Sequence, residues 1–445
     1  MKNDKEGELM SILQQLKFRA KTDDDLLLEP IRISGQEAIF IAQRSLIDLP
    51  ATLNSLYQRS ANPASGCVVL GKPIPDPEEK ELLTAILEGQ GLLWLEADRC
   101  FVAVTPIAKT LSRSIETPTT ENVLRGSISA FVEDLDTNIG LIRKHEPSST
   151  LLTREFHFGK IGHKRVVLLY KDDLIEPQLK QSIMEQLNRH AEQELSNLQM
   201  LSLILGFPKW TLVTKFNTSE LPQEAETALN LGKAVLLVDR MPFAVILPSL
   251  LWDMFAVQND RNFPAVFMGL IRFLRILAVF TNIIIPGLYV ALVSVNPDVL
   301  RIEMALSIAK SRVDVPYPSI VETLLLLFIL ELTLEASIRL PKSIGPTVTM
   351  VGGIILGQAV VSAKLVSNLL IIILAATSIS SSVVVGFQNS FSVRLFKYLL
   401  LVLSAIFGVI GLIGGLVIIC AYLSSVTSFG IPYLQLYKSG RGPNG

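Results

Sequence analysis

The spacing of apolar residues changes character near residue 270. Before that point, apolar positions form short runs and helical stripes broken by charges; beyond it, long apolar runs follow one another with few charges between them. The first pattern predicts α/β structure facing water, and the second an all-α polytopic membrane bundle of about five spans. Residues 1–147 are expected to form an N-terminal α/β cytoplasmic subdomain with a charged helix, and 148–255 a second α/β cytoplasmic subdomain. Residues 256–435 are expected to form a transmembrane helical domain, and 436–445 a short polar tail.

In the first half, residues 10–18 read as an amphipathic helix with Ile12, Leu13 and Leu16 on one side. Asp23, Asp24 and Asp25 follow and read as a solvated turn. Residues 82–106 and 226–248 resemble each other. Each carries a helical stretch, a glycine (Gly89, Gly232), an apolar run, a turn with Asp98 or Asp239, a second apolar run and a proline. That order predicts a helix followed by a β-hairpin, twice. Residues 154–158, 166–170 and 210–216 are further strand candidates, and 178–190 a helix.

Between the two similar segments, Phe131, Leu135, Ile139 and Ile142 recur at helical spacing. Arg143, Lys144 and His145 fall in the last turn of that helix, where cations suit the dipole. Arg113, Glu116, Glu121, Arg125 and Glu133, together with Asn138 and Arg143, make this the candidate subunit contact.

In the second half, spans are expected over 273–293, 320–340, 345–363, 365–385 and 396–423, with an interfacial helix between the first two. Basic residues before the first span favour an N-terminus inside, and an odd count then puts the C-terminus outside. The second span is unusual because it holds Glu322, Glu331, Glu335 and Arg339. A charge at the bilayer centre costs about 2.5–3.5 kcal/mol on insertion scales, so such a helix faces protein or water there. Glu331, Glu335 and Arg339 are spaced by four and share a face; Glu322 lies elsewhere, nearer the surface, where hydration suffices. With Gln358, these residues form a candidate ion path or intramembrane polar network. Gly353 with Gly357, and Gly411 with Gly415, are spaced for close helix packing.

Composition narrows the function. A net charge of -1 lacks the basic excess of a general nucleic-acid binder. Cys67, Cys100 and Cys420 make no zinc spacing, and the four histidines are scattered, so no metal or other cofactor is expected. No Walker A loop, G-x-S-x-G or HExxH motif occurs, which leaves no enzyme signature. A secondary transporter of a small nutrient or ion is one reading, with helix breaks at Pro286-Gly287 and at residues 353–357.

Certain motifs carry a more specific likeness. They are Arg113-Ser114-Ile115-Glu116 with Pro118 and Glu121, Val123-Leu124-Arg125-Gly126, Phe131-Val132-Glu133, Thr137-Asn138 and Leu141-Ile142-Arg143. In the second half, RFLR (272–275), PGLY (286–289), VPYP (315–318), EASIRLP (335–341), VGGIILGQ (351–358) and SFGIPY (428–433) follow in order. This set resembles the A-subunit family of bacterial spore germinant receptors. Two stretches depart from it: Ser127-Ile128-Ser129-Ala130 stands where the family has Pro-Arg-Glu-Gly, and Asn259 to Phe263 replaces an acidic-Asp-Tyr-Tyr motif. The resemblance implies a homo-oligomeric, multi-pass subunit in the spore inner membrane, working with a transporter-like B subunit and a lipoprotein C subunit. It also implies that nutrient sensing is coupled to ion release, as in a ligand-gated ion channel.

Overall fold

A computed structural model describes residues 2–33, 36–60, 71–74, 77–109, 129–160, 164–255, 260, 263–340, 353 and 357–435. The first half uses one plan twice. The first copy runs α1 (Lys2–Ala20), β1 (Leu26–Ile33), β2 (Gln36–Gln43), α2 (Leu49–Ser60), β3 (Lys72–Ile74), α3 (Glu79–Leu87), β4 (Gly91–Leu95) and β5 (Cys100–Val104). The second runs α4 (Leu135–His145), β6 (Leu151–Phe158), β7 (Lys164–Lys171), α5 (Pro177–Arg189), a short α6 (Leu198–Ile204), β8 (Asn217–Ser219), α7 (Pro222–Asn230), β9 (Ala234–Val238) and β10 (Ala244–Leu247). The sheets have matching orders, β1-β2-β4-β5-β3 and β6-β7-β9-β10-β8, and every neighbouring pair is antiparallel. The likeness between residues 82–106 and 226–248 is the recognisable end of this longer repeat.

Strand alternation supplies two apolar faces to each sheet, and helices cover both. Ile12, Leu13 and Leu16 of α1 join Leu82 and Ile86 of α3 over Ile41, Leu92, Trp94 and Phe101. Leu56 of α2 packs on the opposite face with Phe40, Leu93 and Val102. In the second copy, Leu135, Ile139 and Ile142 of α4 join Ala225 and Leu229 of α7 over Val167, Leu169, Val235 and Leu237. Leu179 and Ile183 of α5 cover Val166, Leu168 and Leu236 on the other side. Helix α4 falls within residues 1–147, yet its stripe is buried in the core of the second unit.

The hairpin turns match as well. Gly89 and Gly232 end their helices at φ +84° and +75°, and an alanine at 232 would place its Cβ 2.6 Å from the Leu174 carbonyl oxygen. Arg99 and Arg240, each following the turn aspartate, both take positive φ.

The second half begins with α8 (Ala265–Val290), extended by a π-helical turn, Ala291–Val295. Then come α9 (Ile302–Arg312), α10 (Ser319–Arg339), α11 (Asn368–Ser381) and α12 (Phe387–Ser425). Two stretches, Ala265–Val295 and Gln388–Ser425, are long and apolar enough to cross a bilayer. Five spans are not reached by that measure: α10 has the length but carries Glu322, Glu331, Glu335 and Arg339, and α11 has 14 residues, about 21 Å. Most of the expected third span, residues 345–363, lies outside the described residues. None of the residues of α9 is buried, as an interfacial helix requires.

Helix α12 is a hairpin. Gly408 leaves helical geometry at φ 64°, ψ -141°. The rings of Phe396 and Tyr422 lie 6.2 Å apart, whereas a straight helix would separate those residues by about 39 Å. The arms close on small residues: Cβ atoms at Gly411 and Gly415 would lie 2.1 Å from Leu403 O and 2.4 Å from Leu400 Cδ2. Both ends of the hairpin meet the second α/β unit. Thr214 donates to Asn389 at 2.9 Å, and the Leu212 N–H donates to the Tyr422 hydroxyl at 3.0 Å. Residues 427–432 form a two-stranded turn, and the Leu251 N–H donates to the Tyr433 carbonyl. The expected opposite placement of the two termini therefore fails: residues up to 435 return to the side of the α/β units, because one expected span is two arms. Residues 210–216 are likewise not a strand but the irregular segment on which these arms rest.

Candidate functional site

The charged face of α10 divides in two. Glu331 points inward and is held by Arg394 (2.9 Å) and Lys397 (3.3 Å) of α12's first arm. Lys397 is buried, so its charge is sheltered from water. Glu335 and Arg339 form an exposed pair at 2.6 Å. The shared face predicted from spacing of four thus serves one interhelical contact and one local one. Helix α12 supplies the cations that sequence spacing within α10 does not reveal.

Glu322 is not hydrated. It is fully buried and accepts from the Ser367 N–H at 2.5 Å, with Arg312 Nε 3.5 Å away. The Tyr289 hydroxyl, from the PGLY motif, lies 3.0 Å from Ser367 Oγ. The reason is topological. Ser319, at the start of α10, meets Ser294 beyond the end of α8, which brings Glu322 under the first turn of α11. This cluster caps one end of the bundle, while the Glu331 triad lies partway along it.

The glycines also divide. Gly411 and Gly415 close the α12 hairpin, whereas Cβ atoms at Gly353 and Gly357 would meet nothing within 4 Å, and Gln358 is exposed. The 353–357 pair packs against no helix among the described residues of this chain. Pro286 and Gly287 lie inside a continuous α8 rather than at a break, and Gly287 lets α12 approach, with Ser404 Oγ 2.9 Å from its absent Cβ.

In the charged segment of the first half, Arg113, Glu116, Glu121 and Arg125 lie outside the described residues. Glu133 is exposed. Asn138 and Arg143 cannot form a subunit contact, because both are buried. The Asn138 side chain accepts from Val132 N and donates to Val132 O, fixing the entry to α4. Arg143 ties the two α/β units together: Nη2 reaches Asp23 at 2.8 Å, Nε reaches Asp25 at 3.2 Å, and Nη1 donates to Leu151 O at 2.8 Å. Asp25 also accepts from the Ser45 N–H and hydroxyl, and Asp23 from Thr153. Burial pushes the Asp25 carboxyl up from its ordinary value, although Arg143 pulls it down. The aspartates read as a solvated turn are thus a buried joint, paired with a cation more than a hundred positions away.

A second network on α4 is partly exposed. Asp136 pairs with Arg165 at 3.0 Å and Lys109 at 3.7 Å. Burial alone would raise the Asp136 carboxyl, but the hydrogen bond and charge of Arg165 outweigh it and hold it below its ordinary value. A lowered carboxyl contributes stability that is complete above the ordinary aspartate range and lost as pH falls through the folded value. Asp136→Asn is therefore expected to cost under about 1 kcal/mol at neutral pH. The cost should vanish in acid; denaturation of the detergent-solubilised chain across pH 3–7 measures it.

Comparison with known proteins gives the family. Residues 15–441 match the family described as Bacillus/Clostridium GerA spore germination protein. Spore germination protein A1 of Bacillus subtilis (strain 168) is 29% identical over 429 residues, covering 95% of this chain and 84% of that protein. Spore germination protein XA of Bacillus anthracis is 31% identical over 333 residues, covering 75% of this chain and 68% of that protein. Among solved structures, the N-terminal domain of the A subunit of the Bacillus megaterium spore germinant receptor GerK3 aligns with 54% of this chain and 93% of its own, at 18% identity and a TM-score of 0.39.

Proposed function

This chain belongs to the GerA family of spore germination proteins, and from that membership we propose that it is the multi-pass membrane subunit of a spore germinant receptor. In this reading it oligomerises in the spore inner membrane beside a transporter-like B subunit and a lipoprotein C subunit, with the paired α/β units in the cytoplasm. It couples nutrient sensing to ion release. Two apolar stretches of bilayer length support the embedding. The open space at Gly353 and at Gly357 and the exposed apolar side of α8 (Phe273, Leu277, Phe280) leave surface for lipid and sister chains.

The observation that carries the ion-release reading is the Glu331–Arg394–Lys397 triad. Ionised groups inside an apolar bundle are costly and mark ion or proton paths. With two cations against one carboxylate, the triad as it stands is a latch rather than a cation ligand. Passage requires Glu331 to exchange partners. Glu331→Gln frees both cations and is expected to change the rate of nutrient-triggered ion release by several-fold, with the receptor still assembled. Potassium efflux from spores, with co-purification of the partner subunits as the assembly check, is the measurement; wild-type efflux from an assembled variant would reject the latch. A carrier mechanism has less support, because one of its two candidate breaks, Pro286-Gly287, is continuous helix in α8.

A further inference from the structure

Where the second α/β unit meets the α12 hairpin, residues 207–216 form an irregular segment with an unusual surface. Trp210 is 92% exposed, and Leu212 beside it is 43% exposed. A solvated tryptophan on a protein surface is uncommon, because its ring is the largest apolar side chain available for burial. Behind Trp210 opens a cavity of about 360 Å³ whose lining includes Lys209, Lys215, Thr211, Ser202 and Gln388. No carboxylate lines it, and among the described residues neither lysine forms an ion pair. Lys215 is half-buried, held 5.4 Å from the Phe207 ring, and burial pushes its ammonium below its ordinary value. An anion in the cavity would relieve that cost.

The segment's height is fixed by its partners. Leu212 donates to Tyr422, in the last turn of α12, and Thr214 to Asn389, in its first turn. Gln388, where the apolar stretch of α12 starts, is in the cavity wall. Trp252, 40% exposed, and its ring neighbour Phe255 lie just ahead of α8. Aromatic residues at this level, with lysines beside them, are how membrane proteins mark the boundary between acyl chains and headgroups.

We propose that residues 207–216 are a lipid anchor: Trp210 and Leu212 enter the acyl–headgroup boundary, and the cavity holds the phosphate of an anionic phospholipid between Lys209 and Lys215. The proposal rests on the membrane reading above. It goes beyond that reading by making the second α/β unit, not only the helices, a lipid-contacting part. The anchor would fix that unit's height against the bundle, so that movement of the α12 arms is transmitted to the β8–β10 side of its sheet.

The test uses the full chain in nanodiscs of phosphatidylglycerol and phosphatidylcholine, with bromine on the acyl chains near the headgroup. The Trp210 signal is taken as the difference between wild type and Trp210→Phe, which leaves buried Trp94 untouched. Bromolipid is expected to quench at least half of that difference. Phe280→Trp, on the exposed apolar side of α8, is the reference. Quenching at position 280 without quenching at 210 overturns the anchor alone; quenching at neither site overturns the membrane reading. A Trp210 signal shielded from water yet unquenched would assign the segment to a protein contact and also overturn the anchor. In a second arm, lipid co-purified with the wild-type chain is expected to be enriched in phosphatidylglycerol over the supplied ratio. Lys209→Ala/Lys215→Ala should reduce that enrichment about fivefold or more. Enrichment unchanged by the double substitution, or abolished by millimolar inorganic phosphate, would remove the phospholipid from the cavity.

Discussion

Replacing Arg143 with methionine is expected to destabilise the paired α/β units by about 3–5 kcal/mol, the usual cost of leaving a buried ion pair half complete. The guanidinium is 1% exposed, and its two carboxylate partners are 3% and 5% exposed, so water cannot take its place. The loss falls on the joint between the units, because Asp23 and Asp25 belong to the first copy of the repeat and Arg143 to the second. Asp23→Asn/Asp25→Asn in the Arg143→Met background should recover most of the stability, since neutral amides keep the Ser45 and Thr153 contacts without uncompensated charge. The sign of the pH dependence follows from Asp25. A carboxyl raised by burial favours folding below its ordinary value and opposes it as pH rises through the folded value. The Arg143→Met deficit should therefore shrink in mild acid and widen toward neutrality. Chemical denaturation of the detergent-solubilised chain, followed by Trp94 fluorescence for the first unit, measures it; a loss under about 1 kcal/mol would mean the joint is hydrated and Arg143 dispensable.

This joint shows where sequence reasoning stops. The stripe Phe131–Leu135–Ile139–Ile142 announces α4 correctly, because helical periodicity is a local property. The partner of that stripe is not local: α4 packs on the second sheet, and Arg143 is buried against Asp23 and Asp25 of the first unit. The two helix–hairpin segments are readable because a glycine and then an Asp-Arg turn punctuate each in the same order. Their first halves have diverged too far to align by eye, although the sheets share one strand order. In the helical half, charged residues on α10 were evident from composition, but the fate of each depends on which helix lies opposite. Glu331 meets Arg394 and Lys397, Glu335 meets only its own helix, and Glu322 is enclosed by the turn before α11. Residues 210–216 resemble a strand in sequence because Trp210, Leu212 and Val213 are all apolar, yet only Val213 is buried and the first two face outward.

The second large effect is expected at Gly408, where the expected last span folds back on itself. Gly408→Leu should open the α12 hairpin. A φ of 64° with ψ of -141° is accessible to glycine and costs an L-residue about 1–3 kcal/mol. A Cβ would also fall 1.9 Å from Asn296 Oδ1, the atom that accepts from Val409 N at 3.0 Å and caps the second arm. Leucine is instead a strong helix former, so continuing the helix through position 408 removes both penalties at once. A straight α12 cannot keep Phe396 near Tyr422, Tyr422 against Leu212, or Ser428 against Lys215. The wild-type chain should therefore show a C-terminal tag on the same side as the α/β units, and Gly408→Leu should move a large share of it to the other side. Protease access to the tag in sealed, oriented vesicles reads this directly. Asn296→Ala is the control, because it removes the cap but leaves glycine in place. It should cost about 1 kcal/mol without changing sidedness. A tag that stays with the α/β units in Gly408→Leu would show that the arms are held by their mutual packing at Gly411 and Gly415, not by the bend.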